Sequence, residues 1–94
     1  MSQEETLHAV IYGMVQGVNF RIYVLRHARA MGLTGYVRNL SKERVVEVVA
    51  EGEREKLEQL LRQLEVGPRL AKIKRVEVNW SECSGEYSRF RIRY

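Results

Sequence analysis

Apolar and polar positions along this chain follow two different periods, and the changes between them divide it into elements. Leu7-His8-Ala9-Val10-Ile11-Tyr12 carries apolar side chains on both parities of an extended chain, which predicts a strand inside a sheet. Phe20, Val24, Ala28 and Met31 then recur at helical spacing, with Leu25 broadening the stripe and Arg26 and Arg29 turned away from it. They predict a helix over Ile22 to Met31, stopped by Gly32. Leu33 to Leu40 reads as a second strand and Val45 to Glu51 as a β-branched third. The polar turn Ser41-Lys42-Glu43-Arg44 makes the pair an antiparallel hairpin, and Gly52 closes it. Leu57, Leu60, Leu61 and Leu64 mark a second amphipathic helix from Glu53 to Glu65, ended by Gly67-Pro68. Lys72 to Trp80 is the fourth strand, Ser81 to Glu86 a polar loop, and Tyr87 to Tyr94 a short fifth strand.

The order β-α-β-β-α-β plus one strand predicts an α+β fold, a ferredoxin-like α/β sandwich with two helices on one face of a mixed, mainly antiparallel sheet. Right-handed crossovers leave room for a hairpin strand between the parallel pair. The 94 residues make one domain, 1–94, with Met1 to Thr6 expected to be flexible.

Composition narrows the chemistry. No apolar run approaches the ~20 residues that span a bilayer, and the polar, acidic start is no secretory signal; a cytoplasmic protein is expected. The net charge of +4 comes from 16 basic and 12 acidic residues and favours anionic ligands. Twelve of the basic residues are arginine, every acidic residue is glutamate, and there is no aspartate to act as nucleophile or metal ligand. Cys83 is the single cysteine, so no internal disulfide or thiolate cluster forms. His8 and His27 lie on separate elements, and His8 reads as a strand-face residue, so no metal is expected.

The stretch Gly13-Met14-Val15-Gln16-Gly17-Val18-Asn19-Phe20-Arg21 joins the first strand to the first helix. Glycine permits a tight left-handed path, and a loop running into a helix start presents backbone N–H groups under a positive dipole. Arg21 adds a forked cation suited to phosphate. The residues alone leave two readings open: an oxyanion site, or a plain strand-to-helix turn beside an exposed arginine.

The fuller string Val-Gln-Gly-Val-x-Phe-Arg at positions 15–21, followed by Gly35-Tyr36-Val37-Arg38-Asn39, resembles the acylphosphatase family from about Leu7 to Tyr94. The resemblance implies a five-stranded sheet with the last strand at an edge. It also implies an acylphosphatase that hydrolyses the carboxyl-phosphate anhydride of small acyl phosphates by direct water attack, without metal, cofactor or covalent intermediate. Arg21 corresponds to the family's phosphate-binding arginine and Asn39 to its water-orienting residue. Val15, Gln16, Gly17, Val18, Asn19 and Phe20 correspond to the phosphate-binding loop, in which Gln16 is expected to hold the loop's shape. In such proteins a C-terminal carboxylate braces the arginine, and Tyr94 is in place to supply it. The resemblance further requires the loop to wrap back over the sheet edge so that Arg21 and Asn39 converge.

Inorganic phosphate is then expected as product and competitive inhibitor, and the protein as a monomer without membrane or nucleic-acid partners. One segment departs from the family pattern: Leu40-Ser41-Lys42-Glu43-Arg44 replaces a threonine and an Asp-Gly turn, leaving the carriage of Asn39 open. Arg38 points opposite to Asn39 on an extended strand and reads as structural or surface-exposed. Three other readings compete. Cys83 to Arg89 satisfies C-x5-R, but runs into a strand and has no aspartate to act as acid. An RNA-binding module of this topology needs aromatics on its third strand, which instead carries Glu47 and Glu51. The third is a binding or regulatory domain for carbamoyl phosphate or another anion.

Overall fold

A computed structural model describes residues 3–40, 42 and 44–94. The chain runs β1 (Glu4–Met14), α1 (Phe20–Ala30), β2 (Thr34–Leu40), β3 (Val45–Glu53), α2 (Arg54–Val66), β4 (Lys72–Glu82) and β5 (Phe90–Ile92). The strands form one sheet in the order β4-β1-β3-β2-β5. β3 pairs antiparallel with both β1 and β2, so it stands between two parallel strands, and β5 joins the edge parallel to β2. This is the expected split arrangement, with the last strand at the edge.

Alternation decides which face of the sheet is covered. Leu7, Ala9 and Ile11 of β1 and Val46, Val48 and Ala50 of β3 are fully buried, and with Val37 and Phe90 they form one core. The helices complete it with Phe20, Val24 and Ala28 from α1 and Leu57, Leu60 and Leu64 from α2. The valine, leucine, isoleucine and phenylalanine side chains among them each contribute about 1.5–3 kcal/mol when removed from water. The opposite face has no helical layer. There arginines lie over aromatic rings, Arg75 on Tyr12 at 4.1 Å and Arg93 on Tyr36 at 3.8 Å. Stacking of this kind suits the planar guanidinium better than a lysine ammonium.

The same open face carries Glu47, whose carboxylate meets His8 Nε2 at 2.8 Å and Arg38 Nε at 2.6 Å. Burial raises the Glu47 carboxyl, but the hydrogen bonds from His8 and Arg38 outweigh it and hold the group below its usual range. His8 and Arg38 are thus structural residues of the sheet face.

Several boundaries differ from expectation. Glu4, Glu5 and Thr6 are not a flexible lead-in: they pair with Glu53, Gly52 and Glu51 of β3, and Glu5 and Thr6 also with Glu82 and Ser81 of β4. These ladder residues are polar, so no hydrophobic pattern announces them. Met1 and Ser2 lie outside the described residues, as do Ser41 and Glu43 of the expected polar turn. Helix α1 begins at Phe20, two residues earlier than Ile22. Arg29 does not merely face solvent, because its Nε donates to the Phe90 carbonyl at 3.0 Å and ties α1 to β5. β5 has three paired residues in place of eight, and in the preceding loop Ser84 N and Gly85 N are held by the Glu51 carboxylate.

Candidate active site

The connection from β1 to α1 sets the site. Gly17 has φ 75° and Asn19 has φ 61°, so the loop makes two left-handed steps before the helix. Glycine takes this conformation without strain, and asparagine is among the few other residues that tolerate it. Asn19 is the N-cap of α1, and its carbonyl accepts the first helical bond from Tyr23 N at 3.0 Å. No side chain caps the helix, and its first turn holds no acidic residue. The opening N–H groups therefore lack a side-chain acceptor and the dipole is uncompensated, as an anion site requires.

Two interactions hold the surroundings. Gln16 Nε2 donates to the Val45 carbonyl at 3.1 Å and the Leu40 carbonyl at 3.4 Å. The loop is thereby fastened to the hairpin whose first strand carries Asn39. On the other side, Arg93 N donates to the Val37 carbonyl at 2.9 Å. That bond prolongs the β2–β5 pairing and brings Ile92 and Tyr94 alongside Asn39.

The result is a pocket of about 220 Å³ lined by Val15, Gly17, Asn19, Phe20, Arg21, Ile22, Asn39, Ile92 and Tyr94. Arg21 and Asn39 thus share one cavity although β3 separates their strands. Among the described residues that line it, Arg21 is the only charged side chain, and none is a serine, threonine, cysteine, histidine or glutamate. Of the remaining loop residues, Gln16 is turned to the hairpin and Val18 packs against the core, so neither lines the pocket. Tyr94 differs from expectation. Its ring lies 5.0 Å from the Arg21 guanidinium carbon, and among the described residues no ion pair joins Arg21 to the terminal carboxylate. The exposed aromatic ring is the contact at this end, not the carboxylate.

Cys83 and Arg89 do not build a phosphatase loop. Cys83 Sγ sits 3.5 Å from the Glu51 carboxylate. Partial burial raises its thiol, and the neighbouring Glu51 charge adds to that beyond what the Gly85 amide offsets. A thiolate is disfavoured there. Arg89 lines a separate surface depression with Arg91 and Arg93. Among the described residues no group of three His, Cys or Glu side chains gathers as a metal site, and no helix is long and apolar enough to cross a membrane.

Fold and pocket together define a small α/β sandwich with a cationic pocket at a helix start. The family model described as acylphosphatase matches residues 7–92. The chain is similar to an acylphosphatase of Dehalococcoides mccartyi, 44% identical over 88 residues that cover 94% of this chain and 97% of the relative. An acylphosphatase of Thermus thermophilus is 49% identical over 79 residues, 84% of this chain and 89% of the relative. A crystal structure of acylphosphatase from Bacillus subtilis superposes with a TM-score of 0.91 at 30% identity, covering 96% of this chain and 99% of that one. This chain belongs to the acylphosphatase family.

Proposed function

We propose that this acylphosphatase hydrolyses small acyl phosphates in the pocket shared by Arg21 and Asn39, releasing a carboxylate and inorganic phosphate. Membership of the family makes the protein a hydrolase of acyl phosphates. The roles of individual residues are our reading. An acyl phosphate expels a carboxylate, a leaving group that needs no general acid. What the reaction requires is charge neutralisation, a cradle of donors and an oriented water. Arg21 holds two phosphoryl oxygens with its guanidinium fork. The N–H groups of the Val15–Phe20 loop and of the uncapped start of α1 hold the oxygens as charge redistributes. The Asn39 carboxamide aims the attacking water at phosphorus without repelling the anion. Gln16 acts at one remove, keeping the loop registered on the hairpin, and the Tyr94 ring positions the Arg21 guanidinium.

The observation that carries this reading is the meeting of Arg21 and Asn39 in one pocket beside an uncapped helix start. Leu40, in place of the family's threonine, does not keep Asn39 out of that pocket. No nucleophilic side chain is among the described residues that line it, which supports direct attack of water on phosphorus without a covalent intermediate. Inorganic phosphate, which presents the same oxygens, inhibits competitively. We take the protein to act as a monomer, and the free thiol of Cys83 is compatible with a reducing, cytoplasmic setting. The test is benzoyl phosphate hydrolysis with chelator present, beside a phosphomonoester control. Turnover of the anhydride alone, unaffected by chelator, is the expected result; equal turnover of the monoester would refute the assignment.

A further inference from the structure

A second cavity of about 460 Å³ adjoins the phosphate pocket and shares Asn19 and Ile22 with it. Its other walls are Tyr23, Arg26, His27 and Pro68. Asn19, Ile22, Tyr23, Arg26 and His27 recur at helical spacing, so the cavity is a groove running along one face of α1 away from the catalytic pocket. The groove is pre-shaped. The Tyr23 hydroxyl is 2.9 Å from both the backbone and side-chain oxygens of Gln63, and the His27 ring meets Tyr23 edge-on at 4.5 Å. Ile22, 40% exposed, stands at the junction with its apolar surface unspent. Arg26 is exposed in the same groove, and none of the ion pairs among the described residues involves it.

Reaction geometry says what the groove is for. In phosphoryl transfer the attacking and leaving oxygens lie roughly in line through phosphorus. Asn39 stands on the wall built by β2 and β5, with Ile92 and Tyr94, whereas Asn19 and Ile22 form the wall built by the helix start. A leaving group on the side away from a water held by Asn39 has the groove beside it, because the two cavities share the helix-start residues Asn19 and Ile22 and not Asn39. The phosphate pocket, at about 220 Å³, is small beside the roughly 300–1,000 Å³ typical of sites that enclose a whole ligand.

We propose that the α1 groove is the acyl subsite, and that the protein favours acyl phosphates with a flat or apolar body next to the anhydride and an anionic group further out. The body packs on Ile22, Tyr23 and His27, and the distal anion meets Arg26. This assignment rests on the catalytic reading of the adjoining pocket. The test compares 4-carboxybenzoyl phosphate with 4-methylbenzoyl phosphate, two rings of similar length that differ in the distal charge, in the wild type and in Arg26→Gln and Arg26→Glu. The ratio of kcat/KM for the charged over the neutral substrate should exceed one in the wild type. An exposed ion pair of up to about 1 kcal/mol lowers it by about threefold to fivefold in Arg26→Gln, and further in Arg26→Glu. A loss of folding would lower both substrates together and leave the ratio unmoved. A ratio equal in all three proteins, with both substrates turned over, overturns the subsite alone. Failure of the folded wild type to hydrolyse either substrate overturns the catalytic reading and the subsite with it.

Discussion

Replacing Glu51 by glutamine should remove a large share of the protein's stability near neutral pH and little of it in acid. Glu51 is 3% exposed, the one buried charged side chain among the described residues. Its carboxylate accepts hydrogen bonds from Thr6 Oγ1 at 2.6 Å, Ser84 N at 2.9 Å, Ser84 Oγ at 2.7 Å and Gly85 N at 3.1 Å. Burial alone would raise the carboxyl, but these donors override it and bring it from 4.5 to about 2. A depressed folded-state value stabilises the protein fully above the unfolded value and ceases to do so as pH falls through the folded one. The shift corresponds to about 3 kcal/mol at neutral pH, of which about 1 kcal/mol survives near pH 3.

Urea denaturation of wild type and Glu51→Gln is therefore expected to differ by about 2–3 kcal/mol at neutral pH, with the gap closing between pH 4.5 and 2. Glu47, whose carboxyl is also lowered, adds acid sensitivity to both proteins equally and leaves the gap unaltered. A neutral-pH gap below about 0.5 kcal/mol, the scale of an ordinary surface substitution, would refute the reasoning. So would a gap that stays constant on acidification. Because Ser84 and Gly85 lead into β5, the same substitution should loosen the wall carrying Ile92 and Tyr94 and raise KM.

Other expectations concern the site's supports. Gln16→Ala removes two bonds between loop and hairpin and should cost about 1–2 kcal/mol in denaturation. Its effect on kcat/KM should exceed that of Arg62→Ala on the exposed face of α2; equal effects would mean that Gln16 does not hold the loop. Cys83→Ser should retain benzoyl phosphate turnover within about twofold, the range of a mild substitution away from the reacting groups. Loss of turnover in a folded Cys83→Ser protein would return the C-x5-R reading to consideration.

Much of the fold was legible because burial writes itself into periodicity. The stripe Phe20, Val24, Ala28 and the leucines of α2 face the core as their spacing predicts. The ends were not legible: Glu4–Thr6 and Ser81–Glu82 are strand residues through backbone pairing alone, which leaves no hydrophobic trace. The sequence marks Glu51 as the end of a strand but not as its buried anchor, since its partners Thr6 and Ser84 are 45 and 33 residues away. Arg21 and Asn39 could be named from the family resemblance, but neither spacing nor propensity foretells that strands separated by β3 deliver them to one pocket. The family resemblance points to the terminal carboxylate of Tyr94 and carries no signal for its ring, although arginines often stack on a neighbouring aromatic. The groove beyond Ile22 carries no motif at all. Its lining joins α1 and its N-cap to Pro68 of the α2–β4 connection, a residue distant in sequence.

The most direct measurement is steady-state hydrolysis of benzoyl phosphate with inorganic phosphate as inhibitor, run side by side on Arg21→Gln and Asn39→Ala. The account predicts that Asn39→Ala loses about 10²-fold or more in kcat, as for other groups acting only in the transition state, while its phosphate inhibition constant stays within about twofold. Arg21→Gln should lose both turnover and phosphate inhibition. Wild-type turnover in Asn39→Ala, or undiminished phosphate inhibition in Arg21→Gln, would contradict it.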